Sequence, residues 1–511
     1  MHMEKTWLES ARGSLLRGDL ASAHAILASA LAEFPRSREL RRVQAGVYLR
    51  EHRAEAAEHV LRELLAEDAH DAASAFALAG LMKSECRSHA AAAVLCEYFA
   101  GPGNCSDADL AINAIELLDS SGRKREASVI ACLAIAANPD DPRLHAYAGM
   151  LAIQFGQFDD ARRHYLFALE HDPRAFEWHV PIGLSNTLRY GDSGHPDLLL
   201  FHRGLERDDL SALARAELHF ALGKANDDLG EYAGAARHFR HGNQIRKAPG
   251  NWSRKTWRRA IEARLGAPPG LVEHPPGVEH FKPLFVVGMP RSGTTLLAEL
   301  LSRYPRIRNL GELPTLARLA QDSLAAETQD RTAMQRAAAS YVREALQDET
   351  SAARWFIDKQ PLNFRYVDLA LAMFPDAKVI HCIRNERDTA LSLWVQCFLE
   401  DVQGYSYDFG DIASVMRDCD KLMKHWKQRY PLSIKAVPYE ELVSAPDRTV
   451  ETLAEWVGLA PRTVDASTVE SGSTLSTASL WQARQPVYST SIGRWKHYAP
   501  HVPELLQFKD S

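Results

Sequence analysis

Phe285-Val286-Val287-Gly288-Met289-Pro290-Arg291-Ser292-Gly293-Thr294-Thr295-Leu296 reads as a buried strand, a turn bounded by two glycines and the first turn of a helix. Such a junction aims backbone N–H groups and the positive end of a helix at an anion, above all a phosphate. The glycines keep the G-x-x-x-x-G spacing of a nucleotide P-loop. A Walker A loop would continue with Lys before Ser or Thr, the lysine reaching the terminal phosphates. Thr294 takes that lysine's position here, Thr295 follows, and the basic residue, Arg291, lies inside the loop. A triphosphate would lack its clamp. A single 5′-phosphate could still be held by amides, hydroxyls and a guanidinium, so the loop implies a phosphate-bearing donor other than ATP.

Two further strands lead to charged turns. Trp355-Phe356-Ile357-Asp358 runs into Lys359, and a lysine at the carboxyl end of a strand faces the crevice where open α/β sheets bind ligands. Ala377-Lys378-Val379-Ile380-His381-Cys382-Ile383 ends at Arg384, with Ser392 eight residues later in the helix that follows. His381 reads as a core histidine. Glu312, between Gly311 and Leu313, is a carboxylate in apolar company and suits a partly desolvated base. A helix cap or a surface carboxylate is the plainer reading of Glu312, and a surface ion pair with Asp358 that of Lys359.

Outside this half the chain repeats. Gly18, Ala23, Ala30 and Pro35 recur at a period of 34 as His52, Ala57, Leu64 and Ala69, then as Cys86 and Ala91. They return as Gly122, Ala127, Ala134 and Pro139, again as Gly156, Ala161, Ala168 and Pro173, and last as Gly230 and Ala235. A glycine that relieves a turn, a small residue that lets two helices approach and a proline that opens the next linker describe a stack of helical hairpins. This spacing resembles the tetratricopeptide repeat (TPR), with about five or six copies and an irregular insertion over 176–212. Pro268-Pro269-Gly270 and Pro275-Pro276-Gly277 punctuate the end of the array. The expected organisation is an all-α TPR solenoid over 1–248, a linker over 249–281 and an α/β, P-loop-like domain with a parallel sheet over 282–511.

The composition fits a multidomain globular protein: 511 residues are too many for one core, and 46% are hydrophobic. Sixty Lys and Arg against 66 Asp and Glu give a net charge of −6, with no global signature of a nucleic-acid binder. The N-terminus lacks the apolar core of a signal peptide and no apolar run approaches a membrane span, so the reading is cytoplasmic and without a membrane partner. Seven cysteines with no C-x-x-C pair suggest reduced thiols and no metal site.

Pro290-Arg291-Ser292-Gly293-Thr294-Thr295-Leu296 resembles the 5′-phosphosulfate loop of sulfotransferases, whose donor is 3′-phosphoadenosine 5′-phosphosulfate (PAPS) and whose product is the 3′,5′-bisphosphate, PAP. The resemblance implies that Arg291, Ser292, Gly293, Thr294 and Thr295 hold the donor's 5′ end, and that Arg384 and Ser392 grip its 3′-phosphate. It implies Lys359 as the stabiliser of the leaving group. In protein-tyrosine sulfotransferases a glutamate 21 residues after the loop arginine is the general base, and Glu312 stands at that offset from Arg291. An arginine 27 residues after it reads acidic substrate residues, which implies Arg318 for substrate. An ungapped reading around Gly493-Arg494-Trp495 puts Ser479 on the sulfate and Arg494 on the nucleotide. Fold and activity follow: a parallel sheet flanked by helices, and sulfuryl transfer to an acceptor hydroxyl by in-line displacement, tyrosine of a protein or peptide being favoured. The alternative acceptor is a glycan, lipid or small molecule. In the first case the TPR groove captures the acceptor; in the second it is a scaffold or a homodimerisation module.

Overall fold

Helical hairpins with left-handed turns build the first part of the molecule. The computed structural model describes residues 2–247, 252–266, 281–325, 331–347, 352–398, 401–460 and 490–510. They divide into two units, Met1–Leu151 and Ala152–Ser511.

In the first unit, His2–Leu16 pairs with Leu20–Glu33, Arg38–Arg50 with Ala54–Glu67, Ala72–Ser84 with Ser88–Ala100, and Ala108–Ser120 with Lys124–Ala137. The turn residues Gly18, His52, Cys86 and Gly122 all have positive φ, at 77°, 58°, 57° and 74°. The turn has thus outlived its glycine in two copies, where an L-residue sits in a conformation costing roughly 1–2 kcal/mol. Five residues on, Ala23, Ala57, Ala91 and Ala127 are fully buried, as close helix approach requires. Asp19, Ser37, Asp71 and Asp107 cap the helices they precede by accepting from Ser22, Leu40, Ser74 and Leu110 N–H.

The second unit continues the pattern with helix Phe158–His171, where Ala161 is fully buried. Within the expected irregular stretch lies a regular helix, Pro196–Leu205. It is docked by buried Asp197, which accepts from Arg162 at 2.7 and 2.8 Å and from the Tyr190 hydroxyl at 2.9 Å. The last hairpin is Ala212–Asp228 with Tyr232–Lys247. Part of the segment expected as linker is also ordered as helix Arg254–Leu265. Trp257 Nε1 donates to Asp418 at 3.1 Å, and Arg264 pairs with Asp368 at 2.6 Å, both of the last two buried. The Pro-Pro-Gly pairs lie outside the described residues.

Five strands form one parallel sheet: β1 Lys282–Gly288, β2 Ile307–Asn309, β3 Trp355–Asp358, β4 Lys378–Ile383 and β5 Ile434–Pro438, in the order β2-β3-β1-β4-β5. β1 is central and buried on both faces, which is why it reads as an unbroken apolar run. Phe285 and Val287 enter the core shared with helix Phe409–Arg429, and Leu284 and Val286 the core shared with helices Thr294–Leu301 and Pro446–Trp456. The chain leaves β1 toward β2 on one side and leaves β3 toward β4 on the other. The order reverses at β1, so the ligand crevice belongs at its carboxyl end.

Candidate active site

Each of the five strands delivers one element of the site at that carboxyl edge. The loop after β1 turns on two glycines that admit no side chain. At Gly288 (φ 147°) a Cβ would stand 2.4 Å from the Cys382 carbonyl oxygen, and at Gly293 (φ 96°) 2.4 Å from Cδ2 of Tyr439. Between them Arg291 is itself left-handed, at φ 71°, and its Nε donates to Ser392 Oγ at 3.0 Å. Thr294 and Thr295 open helix Thr294–Leu301 and are buried.

The segment after β2 is clamped to β3: Leu310 N–H donates to Ile357 O at 2.9 Å and Lys359 N–H to Gly311 O at 2.8 Å. Gly311, at φ 78°, lets the chain turn there, and Asn309 Oδ1 accepts from its N–H at 3.0 Å. This clamp brings Glu312 onto Lys359, and the two form an ion pair. Lys359 is 3% exposed and Glu312 27%. Burial pushes the Lys359 ammonium below the usual lysine range, and the facing Glu312 carboxylate is the main group opposing that. Asp358 points elsewhere. It accepts from the Tyr341 hydroxyl at 2.7 Å and from Asn363 at 3.3 Å, and burial pushes its carboxyl up to about 7.

After β4, Arg384 is held by carbonyls. Nη1 donates to Arg291 O at 2.9 Å and Nη2 to Ser491 O at 2.7 Å, and the guanidinium lies 4.6 Å over the Tyr439 ring. Arg384 Nε and Ser292 Oγ are buried with no hydrogen-bond partner among the described residues. Orphaned buried donors normally have a partner. Two of them beside a guanidinium and a glycine turn fit a phosphate group. Asn385 caps helix Glu386–Trp394 by accepting from Arg387 and Asp388 N–H.

Arg291, Glu312, Lys359, Arg384 and Ser392 therefore meet at one edge of the sheet, and two other expected site residues are engaged in ion pairs. Arg318 pairs with Glu344 at 3.0 Å and Asp322 at 3.7 Å. Arg494 pairs with Asp227 on the last hairpin, at 2.5 Å. Ser479 lies outside the described residues. Tyr439 and Asp227 escaped the sequence reading, and so did the reach of Asp388, a residue expected only to organise the turn and helix start. Tyr439 follows β5, floors Arg384 and fills the space beside Gly293. Asp388 accepts from Gly493 and Trp495 N–H at 2.6 and 3.0 Å, pinning the C-terminal segment. Asp227 holds Arg494. The only signal for Tyr439 was its place after an apolar strand. The pairings of Asp388 and Asp227 carried none, because their partners are more than a hundred residues away.

Among the described residues no group of three or more His, Cys, Asp or Glu is placed to hold a metal ion, and no helix is long and apolar enough to cross a membrane.

Residues 283–463 match the family model described as Sulfotransferase family, and residues 14–81 the one described as Tetratricopeptide repeat. An uncharacterized protein of Aquifex aeolicus is 28% identical over 313 residues, covering 57% of this chain and 41% of the relative. The protein-tyrosine sulfotransferase of Drosophila melanogaster is 22% identical over 236 residues, covering 35% of this chain and 47% of the relative. The chain thus spans less than half the length of these curated relatives. The sulfotransferase domain of the Synechococcus PCC 7002 olefin synthase is 19% identical, covering 44% of this chain and 90% of that one, with a TM-score of 0.33. This chain joins a tetratricopeptide-repeat region to a sulfotransferase-family domain.

Proposed function

We propose that the chain transfers a sulfuryl group from PAPS to an acceptor hydroxyl, with tyrosine of a protein or peptide as acceptor and Glu312 as general base. The donor supplies an activated sulfuryl group on a phosphate leaving group. The chain's own residues supply position and charge, the two terms that dominate group transfer of this kind. The glycine turn, Ser292, Thr294 and Thr295 cradle the 5′ end. Arg384 and Ser392 take the 3′-phosphate, and Arg291, bonded to Ser392, links the two ends. Glu312 removes the acceptor proton as the new O–S bond forms. Lys359, then released from its ion pair, neutralises the oxygen that leaves.

The observation that carries this reading is the Glu312–Lys359 ion pair, which puts a base and an acid on adjacent strand ends beside the phosphate loop. The tyrosine acceptor draws further support from the similarity to a protein-tyrosine sulfotransferase and from repeats of a type that binds chains. The test is transfer from sulfur-35-labelled PAPS into a lysate of the source organism. Label in protease-sensitive material that yields base-stable sulfotyrosine is the expected result. Label confined to protease-resistant glycan, lipid or small molecules would sink the tyrosine reading and recast the repeats as scaffold.

A further inference from the structure

The last helical hairpin holds the C-terminal segment through one carboxylate. Asp227, near the end of helix Ala212–Asp228, accepts from Arg494 with Oδ2 and from the Tyr498 hydroxyl with Oδ1, each at 2.5 Å. Arg494 and Tyr498 belong to the C-terminal segment that returns to the strand ends. In that segment Ser491 O accepts from Arg384 at 2.7 Å, and the Ser491 hydroxyl lies 3.2 Å from that of Tyr439. The segment is thus pinned from two sides. Asp388 holds the Gly493 and Trp495 N–H groups from the helix after β4, and Asp227 holds the Arg494 and Tyr498 side chains from the hairpin. The hairpin is itself fixed to the sulfotransferase-family domain, since Asn243 donates to Trp394 O at 2.9 Å and Arg246 to Phe398 O at 2.8 Å.

We infer that Asp227 is a positioning residue for the nucleotide site, acting through Arg494 and Ser491 on Arg384. The inference rests on the proposed role of Arg384 at the 3′-phosphate. Two of the Arg384 donors are committed to the carbonyls of Arg291 and Ser491, which fixes the guanidinium plane over Tyr439 and leaves Nε uncommitted. Loss of the Asp227 charge leaves Arg494 without its counter-ion, loosens the segment at Ser491 and frees one edge of Arg384. Preorganised arginines bind phosphate more tightly than mobile ones because less rotamer entropy is lost on binding. The last hairpin is therefore part of the enzyme, and cutting the chain after it would remove a support of the donor site.

The experiment compares binding of adenosine 3′,5′-bisphosphate and of AMP, by calorimetry, in the full chain and in Asp227→Asn. The asparagine keeps the shape and can still accept from Tyr498, and circular dichroism melting checks the fold. The expected result is bisphosphate binding weakened about tenfold with AMP changed less than about twofold, and recovery of most bisphosphate affinity in Asp227→Glu. Equal bisphosphate affinity in wild type and Asp227→Asn overturns the inference. So does a parallel loss of both ligands, which marks general damage to the fold. The unaltered chain is measured first: failure of the wild type to prefer the bisphosphate over AMP would refute the donor assignment itself, a result distinct from either of these.

Discussion

Glu312→Gln separates chemistry from binding with a change of one atom. The variant leaves the Lys359 ammonium, 3% exposed, facing a neutral amide. Two unit charges in contact attract by roughly 4–5 kcal/mol at an effective dielectric near 20. Solvent at the 27%-exposed Glu312 screens part of that, so a net loss of about 2–3 kcal/mol of stability is expected. A second effect follows from proton linkage. Burial already lowers the Lys359 pKa, and Glu312 is the chief group opposing it, so the variant lysine titrates lower still. A lysine whose folded pKa is depressed opposes folding as pH falls below the unfolded value of about 10.4, and the variant extends that window downward. Transfer from PAPS should fall by about 10³-fold or more, while adenosine 3′,5′-bisphosphate binds within about threefold of wild type. Glu312→Gln/Lys359→Met, which removes both charges, should regain most of the lost thermal stability, giving a coupling of about 2 kcal/mol in the double-mutant cycle. Undiminished transfer in Glu312→Gln would remove it as the base. Additive losses of stability would show that the pair contributes nothing as a pair.

Three further outcomes are expected. His52→Gly and Cys86→Gly should each stabilise the chain by about 0.5–1 kcal/mol, the relief of left-handed strain less the added freedom of the unfolded chain. Urea melts that move the other way would refute the strain. Arg384→Ala should weaken binding of adenosine 3′,5′-bisphosphate far more than that of adenosine 5′-phosphosulfate, and equal losses in calorimetry would contradict its place at the 3′-phosphate. The rings of His219 and His238 face each other with their Nδ1 atoms 3.1 Å apart, and burial, followed by neighbouring cationic groups, lowers both to about 4. Both are neutral in folded and unfolded chains above about pH 6.5. Below it the unfolded chain takes up protons that the folded one refuses, so stability should fall between about pH 6.5 and 4 by on the order of 2–4 kcal/mol after screening. His238→Gln should flatten that slope in denaturant melts at stepped pH, and an unchanged slope would exonerate the pair.

Much of the fold was legible because its signals are local. A glycine-bounded turn after an apolar strand, and a small residue five places after each hairpin turn, act within a few residues of themselves. The copies that lost glycine show the limit of reading letters: His52 and Cys86 keep the left-handed turn only because the helices on either side hold it. Helix Arg254–Leu265 was hidden for a related reason. Its apolar stripe, Trp257, Ile261 and Leu265, is short and set among arginine and lysine, and it is docked by Trp257 and Arg264 on partners far along the chain.

The site divides along the same line. The sequence by itself determined the glycine-bounded loop after β1, the strand ends that carry Lys359 and Arg384, and the 21-residue step from Arg291 to Glu312, since each is set by residues close together in the chain. Only the tertiary structure decided that Glu312 meets Lys359, that Tyr439 floors Arg384 and that Arg494 turns to Asp227. Those contacts join residues 47, 55 and 267 positions apart. They arise from the parallel order β2-β3-β1-β4-β5, which gathers five strand ends at one edge, and from the seating of the last hairpin against the end of helix Glu386–Trp394. Ionic and aromatic partners are chosen by such proximity, and a spacing along the chain does not encode it.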